Sequence, residues 1–182
     1  MIAGHFAFAA AVRAKERSVP LWALMLATQW LDVVFIPLLL LGIEGMQRAE
    51  GARTGYGEGL FHIPWTHSLL GAAVLAAVFG AAGAARWGRR AGVVLFAVVL
   101  SHWVLDLVVH RPDLPLVPWG GPVLGLGLWS RPAAARGVEL ALVLAGSALY
   151  FRTAPRTPLG RAAAASVLGS GLITLALNAL GY

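Results

Sequence analysis

The sequence predicts an all-α integral membrane protein: a helical bundle of about five transmembrane helices plus a short N-terminal helix. Three observations carry this. Of the 182 residues, 59% are hydrophobic and 12% charged, whereas a soluble domain is about a quarter charged. Segments near 19–43, 66–86, 91–110, 136–151 and 161–181 reach or approach the roughly 20 apolar residues that a span requires. The cations that make the net charge +6 fall between these apolar runs. They read as topology signals and not as a nucleic-acid patch.

Ile2–Val12 is apolar and carries Gly4 and His5, but it is too short to cross a bilayer alone. Arg13, Lys15 and Arg17 follow, as in the n-region of a signal peptide. The apolar run behind them, Val19 to Ile43, far exceeds the ~7–15 residues of a signal-peptide core, so it reads as a retained span. Residues 44–65 are polar and Gly-rich, the pattern of an exposed loop. The span at 66–86 contains GAAVLAAVFGAAGAA (71–85), a small-residue face suited to close helix packing. Such faces permit a homo-oligomer. The span at 91–110 ends in SHWVLDLVVH. Residues 112–132 are apolar and rich in Pro and Gly, with Trp119 and Trp129. Such a loop lies in the membrane interface or folds back over a cavity, because non-helical backbone at membrane depth must be covered by protein or water. The span at 136–151 is the shortest and carries Glu139, three residues after Arg136, an expected ion pair at the helix start. No repeat is visible, and residues 1–182 read as one transmembrane domain.

Lys and Arg set the orientation. One side collects Arg13, Lys15, Arg17, Arg86, Arg89, Arg90, Arg152, Arg156 and Arg161. The other collects Arg48, Arg53, Arg111, Arg131 and Arg136. The richer side is expected to be cytoplasmic, which makes this a multi-pass inner (plasma) membrane protein with a cytoplasmic N-terminus and the lipid bilayer as its partner.

Ionisable residues inside spans cost about 2.5–3.5 kcal/mol each on insertion scales and mark function. They are Asp32, His67, His102, Asp106 and Glu139, with His5, His62 and His110 nearer the edges. At a rise of about 1.5 Å per residue, His5 lies ~12 Å from Arg13 and Asp32 ~18 Å from Pro20. From the outer end at His110, Asp106 lies ~6 Å and His102 ~12 Å down. His67 sits just after Pro64, at the outer start of its helix. If the short helix runs back up against the first span, His5, Asp32, His67, His102 and Asp106 converge in the middle to outer membrane. His102, Asp106 and His110 recur every fourth residue and share a helix face. His62 is five residues from His67 with Pro64 between them, which places it in the loop. Trp30 and Trp103 beside these positions read as core packing. With no Cys, a metal site must use imidazole and carboxylate, and zinc is the default ion for hydrolysis. The same residues also suit a proton path or an ion translocation site.

The stretches GHFAFA (4–9), HIPWTHSLL (62–70) and LSHWVLDLVVHRPDLPLVPWG (100–120) resemble the YdjM-type family of bacterial inner-membrane proteins, regarded as metal-dependent hydrolases. That pattern has an N-terminal GH, an Asp motif, H-x4-HSLL, then SH-x3-D and a Pro-rich segment. Gly4-His5, Asp32, His62 with His67-Ser68-Leu69-Leu70, and Ser101-His102 with Asp106 match it in order. LDVVF (31–35) keeps one Asp and lacks the second Asp and the His that the family carries after it. More remotely, the order is similar to zinc-dependent phospholipases C and single-strand nucleases. The resemblance covers roughly residues 1–120. It implies a membrane-embedded hydrolase with a divalent ion, most simply zinc, held by ligands from His5, Asp32, His62, His67, His102, Asp106 and His110. Asp32 or Asp106 would take the proton, and the substrate would be a phosphoester or another amphiphilic, lipid-like molecule. A transporter or channel using the same cluster is the alternative.

Overall fold

A computed structural model describes residues 1–48 and 59–180. Seven helices carry the architecture: α1 (Ile2–Lys15), α2 (Leu21–Thr28), α3 (Trp30–Leu40), α4 (Leu69–Trp87), α5 (Arg89–Val109), α6 (Pro132–Thr153) and α7 (Pro158–Leu180). The last four are each long and apolar enough to cross a membrane, and α2 with α3 makes a fifth candidate, bent by 50°. Two small antiparallel hairpins complete the fold. β1 (Gly45–Arg48) pairs with β2 (Gly59–His62), and β3 (Leu114–Pro115) pairs with β4 (Val123–Leu124). The expected all-α bundle is therefore present, and large apolar side chains such as Val74, Val93, Leu144 and Ile173 face outward, as lipid-facing surfaces require.

Small residues set the packing. On α4 and α5, a Cβ added at Gly80 would lie 2.9 Å from the Gly92 carbonyl oxygen, and one at Gly92 only 2.7 Å from that of Gly80. The two backbones touch, as the Ala/Gly run at 71–85 suggested. Gly88 turns the chain between them with φ +88°. A second close approach joins α1 to α6, where a Cβ on Gly146 would lie 2.2 Å from the carbonyl oxygen of Ala7. These helices run in the same direction: Gly4 donates its N–H to Glu139, Ala7 meets Gly146, and Ala10 shares a core cluster with Tyr150.

The short first helix does run back up the bundle, so its N-terminal end lies among the hairpins and its C-terminal end lies at the opposite, Arg-rich end. There Arg90 Nε donates to Glu16 Oε2 at 2.8 Å. Two hydrogen bonds from Ser18, together with Arg90, hold the Glu16 carboxyl down to about 2.

Several local expectations change. The first span is not one helix but the bent α2–α3 pair. The fourth starts earlier than 136, at Pro132, where proline suits the first helical turn. Glu139, expected to pair with Arg136 at the helix start, is fully buried and accepts the Gly4 N–H of α1. In the loop at 44–65, of which 49–58 lie outside the described residues, Glu44 is buried and the chain on either side forms β1–β2. The 112–132 loop folds back onto the end of α5. Leu126 N–H donates to the carbonyl of Leu107, and Gly127 N–H donates to that of His110. Gly125 has no room for a side chain there, since a Cβ would lie 2.0 Å from the Arg111 carbonyl oxygen.

Candidate metal centre

Five elements converge just below the hairpins. The bend between α2 and α3 begins the site. In an unbroken helix the carbonyl of Thr28 would accept the amide of Asp32. At the bend it accepts His102 Nδ1 at 2.6 Å. The same bend sets Asp32, in the first turn of α3, beside His67 and His102: its Oδ1 is 3.3 Å from His67 Nε2 and 3.7 Å from His102 Nε2. His67 precedes α4, whose N-cap is Ser68, its side chain accepting the Gly71 N–H. Trp103 Nε1 donates to the His67 carbonyl at 2.8 Å and ties that entry to α5. His5 arrives from α1 with Nε2 3.1 Å from Asp106 Oδ1, its ring stacked on that of His102 at 4.0 Å.

Asp106 is the hub. Its Oδ2 lies 3.0 Å from His102 Nε2 and 3.9 Å from Nε2 of both His67 and His110. The outward nitrogens of these three rings have other partners. His102 Nδ1 donates to Thr28. His67 Nδ1 meets Thr66 Oγ1 at 2.7 Å, and that hydroxyl donates to Glu44 Oε2 at 2.7 Å. A hydroxyl whose proton goes to a carboxylate can only accept from the imidazole, so His67 carries its proton on Nδ1. Glu44 is itself fixed by the N–H groups of Trp65 and Thr66. His110 Nδ1 donates to Asp113 Oδ1 at 2.9 Å, and its ring is covered by Trp129 and Phe61.

With Nδ1 engaged on each ring, Nε2 is the nitrogen left on the Asp106 side. His102 Nε2, although 3.0 Å from Asp106 Oδ2, has no hydrogen-bond geometry and is buried. The spacing fits an ion. A tetrahedral site with bonds of about 2.1 Å separates its ligand atoms by about 3.4 Å, and the contacts above range from 3.0 to 3.9 Å. Two trios have ligand atoms close enough to hold a metal ion, His5–His102–Asp106 and Asp32–His67–His102. Both use His102 Nε2, and with Nδ1 engaged by Thr28 His102 has one lone pair to offer. The two trios share His102 Nε2 and so could not both hold an ion through it at once.

Of the residues that the sequence singled out, the structure brings together His5, Asp32, His67, His102 and Asp106, with His110 at the rim. His5, His67, His102, Asp106 and His110 are all buried, whereas the Asp32 side chain is 41% exposed. His62 stands apart: it is exposed on β2, paired in register with Gly45. Sequence reasoning passed over Thr28, Glu44, Thr66 and Asp113, which orient the imidazoles. Only two of these left a local trace, Thr66 beside His67 and Asp113 three residues after His110. Comparison with known protein families, with curated proteins and with solved structures finds no match for this chain.

Proposed function

We propose that this protein is a membrane-embedded, metal-dependent hydrolase with zinc as its resident ion, acting on a phosphoester of amphiphilic or lipid-like character. In this reading it lies in a bacterial inner membrane, as the resemblance to the YdjM-type family implies, with its Arg-rich end cytoplasmic, as the Lys/Arg count predicts. The observation that carries the reading is the trio of imidazoles held with Nε2 toward Asp106 by Thr28, Thr66 and Asp113. Orientation of a ligating His by a hydrogen bond to its other nitrogen is the usual support of a metal site.

Asp106, His102 and His67 would hold the ion, with His5 and His110 on its flanks. The chemistry supplied by zinc at such a site is Lewis acidity toward a phosphoryl or acyl oxygen and toward water. Asp106 is buried with both oxygens among imidazoles, so it serves as a holding group. Asp32 is the carboxylate with an open face and is placed to accept the proton of the attacking water. Substrate would arrive past Asp32, along the outer face of α3, where Val33, Ile36 and Leu40 are exposed. An apolar approach to a polar centre suits an amphiphile better than a freely soluble ester.

Elemental analysis of the purified protein tests this first. About one zinc per chain is expected, lost in His102→Ala and in Asp106→Ala. A metal-free wild type whose melting is indifferent to chelators would sink the proposal. Asp32→Asn should keep the metal and lower phosphodiester turnover about 10²–10⁴-fold. Ion flux into liposomes that needs His102 and occurs without product release would move the reading to a transporter.

A further inference from the structure

At the opposite end of the bundle, away from the candidate metal centre, the ends of α1 and α6 border a cavity of about 290 Å³ that is open to solvent. Arg13, Arg17, Tyr150, Thr153, Ala154 and Pro155 line it. By the share of liquid volume per molecule this is room for about ten waters, enough for a phosphate group and the glycerol attached to it.

Three features of the lining point to an anion. First, Arg13 and Arg17 have no carboxylate within ion-pair distance among the described residues. The one acid at this end, Glu16, gives its oxygens to Ser18 and Arg90. Second, the two helix C-termini bring only about half a negative charge each, which leaves the two guanidinium groups in excess. Third, Tyr150 is 8% exposed and its ring packs among Ala10, Ala164 and their neighbours. Its hydroxyl nonetheless has no hydrogen-bond partner among the described residues. The hydroxyl is therefore open to solvent, and Tyr150 belongs to the cavity wall beside two cations.

We propose that this cavity binds a phosphodiester anion, the headgroup phosphate of an anionic phospholipid from the adjacent leaflet. Arg13 and Arg17 hold the phosphate oxygens, and the Tyr150 hydroxyl donates to one of them. Placement favours a lipid over free phosphate. Pro155 and the α6 end lie at the terminus of an apolar candidate span, where Phe151 is 60% exposed and offers a surface for an acyl chain.

Native mass spectrometry of the full chain in detergent tests the site, with dioleoylphosphatidylglycerol, dioleoylphosphatidylcholine and inorganic phosphate as separate probes. The wild type should retain phosphatidylglycerol over phosphatidylcholine. Retention should fall about thirtyfold in Arg13→Gln/Arg17→Gln, at roughly one surface charge's worth of attraction per Arg. It should fall a few-fold in Tyr150→Phe and be unchanged in Arg161→Gln, an exposed cation outside the cavity. Equal retention of the two lipids overturns the proposal, as does an unaltered double variant. Binding of inorganic phosphate without phosphatidylglycerol overturns the lipid assignment. Zinc content is read on the same samples, so a failure here is separable from a failure of the metal centre.

Discussion

Thr66 shows how little of a site's orientation is written in its ligands. Its hydroxyl stands between Glu44 and His67, and without it His67 could turn its other nitrogen inward. Thr66→Val keeps the shape and removes the hydroxyl. Metal affinity is expected to drop about 10–100-fold, with little change in Thr66→Ser, as read by competition with a zinc chelator; equal affinities across the three proteins would remove the threonine from the account. The convergence of the candidate ligands was legible: His102 and Asp106 by four-residue spacing, and His5, Asp32 and His67 by depth. The supporting groups were not, because a hydrogen bond between Glu44 and Thr66 joins residues 22 positions apart and leaves no periodicity. Glu139 misled for a related reason. Its distance from Arg136 matched a helical pair, while the structure buries it against α1, a neighbour 135 residues away.

Among the elements, the α2–α3 bend and the α1–α6 contact carry most of the consequence. A hydropathy run reports that residues 19–43 are apolar and is blind to a change of direction inside them. The bend shows itself only when Thr28, with its carbonyl toward His102, is seen at the end of α2. The close packing of α4 on α5 was readable from the Gly/Ala run, whereas that of α1 on α6 rests on the lone Gly146. Gly146→Ala places a methyl group against the Ala7 carbonyl. Such overpacking costs about 1–3 kcal/mol and pushes away the helix that carries His5. Lower thermal stability together with weaker metal binding is expected. Gly137→Ala on the same helix, where nothing lies within 4 Å, is expected to leave both unchanged. If Gly146→Ala melts like the wild type, the contact has no energetic role.

At the scale of the whole molecule, the two ends differ in chemistry. One end has the hairpins, the folded-back loop and the His/Asp cluster. The other has the Arg residues, the Glu16–Arg90 pair and the cavity. The absence of cysteine makes this polarity easy to test. Ser18→Cys and Ser130→Cys are both exposed positions at opposite ends. In intact cells an impermeant thiol reagent should label Ser130→Cys, and should reach Ser18→Cys only after the membrane is opened. The reverse pattern would invert the orientation. The number of apolar helices and this asymmetry could be read from composition alone. For the 112–132 loop the sequence left two paths open, interface or fold-back, and did not choose between them, since its hold on α5 comes from backbone hydrogen bonds that any sequence of similar polarity can form.

The parallel packing of α1 against α6 bears on when the site comes into being. α1 is made before every other helix, yet the backbone contact at Gly146 and the partner for the Gly4 N–H both lie on α6, more than 130 residues later in synthesis. Until α6 has entered the bilayer, α1 lacks the surface that positions His5. A nascent chain therefore passes through a state with α4 and α5 paired but the cluster incomplete, and on the proposed function any metal would load only late in biogenesis, after insertion of α6.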